Sequence, residues 1–142
     1  MPKNNPKVKY KPTVQKKPVI APLFENNEGT IIFSFQWFDS VSRWGQSKEV
    51  NFWDVAEKLK SFEQRQWKHL AGYTKRDHPI EFHKLEKEAQ EYIGRTGIFD
   101  DHDEIWSLHL DGTKRLWGLK YQRYCMVIWW DPDHKICPSL KN

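Results

Sequence analysis

Cysteine is almost absent from this chain: Cys125 and Cys137 are all there is in 142 residues. Cys125 falls inside an apolar run and Cys137 in the short tail beyond Asp131-Pro132-Asp133, so a turn there would not set them directly opposite. Neither belongs to a paired-cysteine metal pattern. A disulfide framework is excluded, and two free, non-catalytic thiols are expected. Long apolar runs are missing as well. No stretch approaches the ~18 to 20 apolar residues of a membrane span, and the early lysines are followed by no apolar block of the signal-peptide kind. A cytoplasmic protein with no membrane partner is the expectation.

Acidic residues are missing from the first 24 positions, which hold six lysines and five of the eight prolines. Lysine interleaved with proline favours extended, solvated chain over packed structure. Residues 1–24 are therefore read as a flexible basic arm able to add sequence-independent affinity for a polyanion, and residues 25–142 as a single domain. Outside the arm the chain carries 17 basic groups against 19 acidic ones, so the body is not basic overall. Its charge is segregated. Gly97 to Asp111 has five acids and no Lys or Arg, whereas Gly112 to Asn142 has six basic residues against Asp131 and Asp133. That distribution allows a local anion-binding face on a nearly neutral body.

What the chain does have is aromatic bulk, eight Trp and eight Phe, enough for the core of one domain. Thr30 to Phe38 alternates, with Phe33, Phe35 and Trp37 on one side, and predicts a strand. Asn51 suits an N-cap, and Phe52, Val55, Ala56, Leu59, Phe62, Trp67 and Leu70 follow at helical spacing, predicting one helix to about Leu70. After Pro79, a stripe of Phe82, Leu85, Ala89, Tyr92 and Ile93 predicts a second helix that ends at Gly94 to Gly97. Three β-rich runs separated by short polar turns then read as an antiparallel meander. The order β-α-α-β-β-β gives an α+β domain in which two helices cover one face of an antiparallel sheet.

The last third carries the informative motifs. Trp106-Ser107 opens the first of the three runs, Lys114-Arg115-Leu116 opens the second, and Tyr124 to Trp130 forms the third, followed by His134. In this order and at these separations, the pieces resemble the RelE/YoeB type of small toxin in the RelE/ParE superfamily of bacterial toxin-antitoxin systems. The resemblance implies a RelE-like fold and cleavage of RNA without a metal or other cofactor. It places Arg115 where such enzymes hold the scissile phosphate, a task suited to a guanidinium that can grip two oxygens. It places His134 where a terminal His or Tyr serves as acid or stacks on a base, and His109 where a basic residue often stands. Family members with a carboxylate base take it from the region of the second helix, where Glu86, Glu88 and Glu91 lie; none of these is assigned. The partners implied are an antitoxin protein that wraps the catalytic face and the ribosome that presents messenger RNA, while ParE-like members act on gyrase. The chain departs from the family in its length, its lysine-proline arm and its lack of a strongly basic body.

The residue types suit the chemistry. Metal-free RNA cleavage needs a group to take the 2′-hydroxyl proton, a cation beside the phosphorane and an acid for the leaving oxygen. Histidine titrates near neutrality, and alternation sets His109 with Ser107, opposite Trp106, Leu108 and Leu110. Lys114, Lys120 and Arg123 can contact phosphates, and Trp117 or Tyr121 can stack on a base. Asp100-Asp-His-Asp-Glu104 offers hard oxygen ligands, but adjacent residues rarely converge on one ion, so an acidic turn is expected and no metal site is assigned. The alternative is a non-enzymatic module of the same shape that binds single-stranded nucleic acid or protein through its aromatic and basic sheet.

Overall fold

The computed structural model describes residues 29–44, 50–73, 76–97 and 100–137, and the basic arm lies outside them. The described chain runs β1 (Ile32–Ser34), α1 (Phe52–Phe62), α2 (Trp67–Tyr73), β2 (His78–Glu81), a 3-10 turn (Phe82–Lys84), α3 (Lys87–Thr96), β3 (Glu104–Asp111), β4 (Lys114–Tyr121) and β5 (Tyr124–Asp131). The α+β class and the three-stranded meander hold: β3 pairs with β4, and β4 with β5, all antiparallel. The sheet as a whole is five-stranded and mixed, in the order β1-β5-β4-β3-β2, because β1 runs parallel to β5. Among the described residues, no helix is long and apolar enough to cross a membrane.

Three local readings change, the first because a tight turn closes within the segment and the other two because bonding to distant chain overrides local pattern. The strand expected over Thr30 to Phe38 stops at Ser34; the Phe38 N–H donates to the Phe35 carbonyl at 3.0 Å, closing a turn that leaves Phe35 exposed and Trp37 buried. The single helix expected from Asn51 to Leu70 breaks in two. Its N-cap is as expected, with the Asn51 side chain accepting the Asp54 N–H at 3.1 Å. At the break, the Arg65 carbonyl accepts the Ile31 N–H at 2.9 Å and the Trp67 indole donates to the Arg123 carbonyl at 3.2 Å, which ties the helix connection to the sheet. The residues around Pro79 are an additional edge strand, β2, paired antiparallel with β3. An edge position suits proline, which has no N–H for a second neighbour.

The helices lie on opposite faces of the sheet, not together on one. Phe62, Trp67 and Leu70 pack with Trp106, Leu108, Leu116, Cys125 and Val127, while Leu85 and Ala89 pack with Ile105, Trp117, Leu119, Met126 and Ile128. These two sets alternate along β3, β4 and β5, as the pleat requires of residues on opposite faces. Both faces of the central strands are therefore buried, which explains why Trp117 and Trp129 are almost wholly enclosed. Cys125 and Cys137 are free thiols; burial pushes both up, Cys125 most, so the thiolate form is suppressed.

Two glycines are dictated by geometry. Gly97 caps α3 in the left-handed region at φ 69°, its N–H donating to the Ile93 carbonyl at 3.3 Å. Gly118 lies where the β4–β5 register shifts, and a Cβ there would sit 2.5 Å from Cys125 Sγ and 3.0 Å from the Met126 carbonyl oxygen. Gly118→Ala is expected to destabilise the fold by about 1–3 kcal/mol through overpacking. Combining it with Cys125→Ala should cost less than the two single changes added, since the clashing sulfur is gone. Additive losses in denaturant melts would show that the contact with Cys125 is not the cause.

Candidate active site

The pairing register assembles one polar row across the sheet. His109 stands opposite Arg115, Arg115 opposite Asp131, and His78 opposite Ser107 one step along β3. Directly opposed side chains on one face have Cβ atoms about 5 Å apart, so His109, Arg115 and Asp131 are consecutive neighbours on the α3 side, with His78 on the diagonal. His134 joins them from the turn after β5. Five residues from five segments thus share one end of one face.

The row is held by backbone. The carbonyl of Gly112, in the β3–β4 turn, accepts from Arg115 Nη1 at 3.1 Å and lies 3.0 Å from His109 Nε2. A carbonyl only accepts, so His109 carries a proton on Nε2 and, when neutral, presents Nδ1 as the basic atom. Arg115 Nη1 also donates to the Lys114 carbonyl at 3.2 Å. Its Nη2 and Nε have no hydrogen-bond partner among the described residues, leaving half the guanidinium fork for an anion. Asp77, buried, accepts the His109 N–H at 2.7 Å and so fixes the chain entering β2 directly before His78.

Asp131 organises the turn that bears His134. Its fully buried carboxylate accepts the Trp117 indole N–H at 3.2 Å and the backbone N–H groups of Lys135 and Ile136 at 2.8 and 2.9 Å. Thr113 Oγ1 donates to the Pro132 carbonyl at 2.6 Å, fastening this turn to the β3–β4 turn. Inside the closed turn His134 takes a left-handed φ of 57°.

The protonation of His134 follows from this company. Burial pushes its pKa below the ordinary histidine value of 6.5, and Arg115, His78 and His109 push it further down, against the opposing pull of Asp131. At neutral pH the ring is therefore a neutral imidazole, able to take a proton. Arg115 is also lowered by burial, with Asp131 and Asp77 pulling it back, and it remains a cation.

Of the residues singled out from sequence, the fold brings together Arg115, His134 and His109. It separates the others from them. Lys120 lies on the opposite face, 5.8 Å from the Trp67 ring centre, and Lys114, next to Arg115, borders the α1 side with Asp111 and Trp130. Arg123 is committed to Thr30, its Nε donating to the carbonyl at 2.8 Å. Trp117 is fully buried and cannot stack on a base, and Tyr121 packs half-buried against the α3-side core. His78 is the member that sequence reading passed over, directly before the Pro79 after which the second helix is expected.

Two other features stand apart from this row. An apolar cavity of about 350 Å³ lies between Phe35, Phe38, Val55, Leu59 and Trp129. Its buried acid, Asp39, is spent on the Trp129 indole at 2.7 Å, the Ser42 hydroxyl and the N–H groups of Val41 and Ser42. Among the described residues no three His, Cys, Asp or Glu side chains are grouped as metal ligands, Asp100 to Glu104 included.

Because the native state disfavours the charged form of His134, the unfolded chain takes up this proton first as pH falls. The contribution to stability is present above about pH 6.5 and is lost as pH drops from there through the lower native value. Melting wild type beside His134→Asn, which tolerates the left-handed backbone, should show the wild type losing ground between pH 7 and pH 5. Parallel pH dependences would mean that His134 is not held neutral.

No known protein family, curated protein or solved structure shows significant similarity to this chain.

Proposed function

We propose that the protein is a metal-independent endoribonuclease of RelE-like type, with Arg115, His134 and His78 carrying the chemistry. The observation that carries this reading is the convergence of a half-free guanidinium with three imidazoles on one end of the α3 face, where Arg115, His78 and His109 all act on the ionisation of His134. Neutral His134 takes the 2′-hydroxyl proton, and the 2′ oxygen attacks phosphorus. Arg115 places Nη2 and Nε against the non-bridging oxygens as charge builds on them, its remaining nitrogen anchored to backbone. His78 is exposed, with Nδ1 3.4 Å from the Pro79 carbonyl oxygen; its Nε2 faces outward as the donor that passes a proton to the departing 5′ oxygen. The products are a 2′,3′-cyclic phosphate and a 5′-hydroxyl. His109, locked to Gly112, adds a phosphate contact.

This assignment replaces a carboxylate base with an imidazole. The last-third motifs support the same family, and on that reading an antitoxin and the ribosome are the partners to seek.

Arg115→Lys should fail nearly as badly as Arg115→Ala, each losing about 10²-fold or more in cleavage rate, because a point charge cannot grip two oxygens. His134→Asn and His78→Ala should each lose roughly 10²-fold. Assays in EDTA with melting curves for each variant check this. A folded Arg115→Ala that cleaves at the wild-type rate overturns the mechanism, and RNA binding without products leaves a binding module.

A further inference from the structure

His134 also borders a groove of about 500 Å³ whose other walls are Arg43, Trp44, Glu86, Glu88 and Lys135. The groove is built on fixed parts. The Glu86 N–H donates to the Ile136 carbonyl at 2.7 Å, joining the start of α3 to the turn that carries His134. Trp44 packs edge-to-face on Trp129 at 5.3 Å, and Trp129 is bonded to buried Asp39. Glu86 Oε1 accepts the Glu88 N–H at 3.3 Å, and Glu88 Oε1 pairs with Arg43 Nη2 at 3.1 Å. The second oxygen of each carboxylate has no hydrogen-bond partner among the described residues.

We infer that this groove is a base-recognition subsite selective for guanine beside the scissile phosphate, an inference that rests on the ribonuclease reading. A base entering it meets an aromatic wall, two carboxylates that can only accept, and a guanidinium that can only donate. Guanine alone presents a matching Watson–Crick edge: O6 accepts from Arg43, while N1–H and N2–H donate to carboxylate oxygens. Adenine and cytosine each place an unprotonated ring nitrogen against a carboxylate, and uracil flanks its one donor with two carbonyls, so each brings lone pairs against lone pairs. Stacking on Trp44 adds affinity without discriminating, since every base has a π face. Lys135 lies within reach of the backbone phosphates that a base in this groove would bring with it.

The Arg43–Glu88 pair is exposed, with side-chain accessibilities of 77% and 41%. It is therefore weakly held and able to exchange its bond for one to a base.

The test is cleavage, in EDTA, of the sixteen dinucleotide sequences set in an otherwise identical short RNA. Guanine at one of the two positions flanking the bond should raise kcat/KM by roughly 10- to 100-fold over the other bases. Inosine, which lacks the N2 amino group, should fall between. Glu88→Gln or Glu86→Gln, each checked by melting, should collapse the ratio between guanine and the rest, since an amide offers a donor where guanine needs an acceptor. Equal rates for all sixteen, or a guanine preference that survives in both variants, overturn the subsite. If nothing is cleaved, the ribonuclease reading fails, and the preference is read from calorimetric binding of the four nucleoside 3′-monophosphates, where equal affinities overturn it.

Discussion

The carboxylate of Asp131 is fully buried, and three N–H groups from Trp117, Lys135 and Ile136 converge on it. A buried polar group left unpaired costs about 1–3 kcal/mol, and more if it is charged. The acid and its donors therefore constrain one another. Trp117 fixes its distance from β4, the two amides bend the chain back after β5, and the bend presents His134 beside Arg115. Asp39 does the same on the other side of the core, where the Trp129 indole and the Val41 and Ser42 amides close the loop that carries Trp44. Each central tryptophan is thus bonded to an acid that also closes a loop.

On this frame the polar row of His109, Arg115 and Asp131 is a consequence of strand pairing. β3 and β4 each contribute residues of one parity to the α3 face, β5 changes parity at its register shift and so brings both Met126 and Asp131 to it, and at the end where the meander turns, that face runs out of helix to cover it. Ile105, Trp117, Leu119 and Met126 lie under α3, while His109, Arg115 and His134 lie beyond and stay only partly buried. Partial burial matters twice over. It lowers the pKa of His134, and it sets the guanidinium in a medium less polarisable than bulk water, where its field is stronger.

Much of this was legible locally. The meander, the Asn51 cap, the Gly97 stop and the facing of His109 away from Trp106 all depend on period and on residues within one turn or hairpin. Sequence reading groups Lys114 and Lys120 with Arg115 as phosphate contacts, although strand alternation puts residues one and five positions from Arg115 on the other face of β4. What local pattern could not supply came from distant partners. The helix break at Gln64 to Gln66 is set by bonds to Ile31 and Arg123, whose apolar neighbours keep the same spacing whether the helix continues or not. His78 was hidden because Pro79 reads as a breaker, when on an edge strand it is tolerated. The burial of Trp117 followed from helices taking both faces, which no single strand announces.

The central claim is that imidazoles and one guanidinium, with no metal, drive attack by the 2′-hydroxyl. Its most direct test is the chemistry of the cut ends when purified protein acts on a short RNA in excess EDTA, beside the same RNA carrying a 2′-deoxy sugar at the cleaved position. The account predicts a 2′,3′-cyclic phosphate and a 5′-hydroxyl from the first and no cut at that position in the second. Cleavage that requires a divalent ion, leaves a 5′-phosphate or proceeds through the 2′-deoxy site would contradict it.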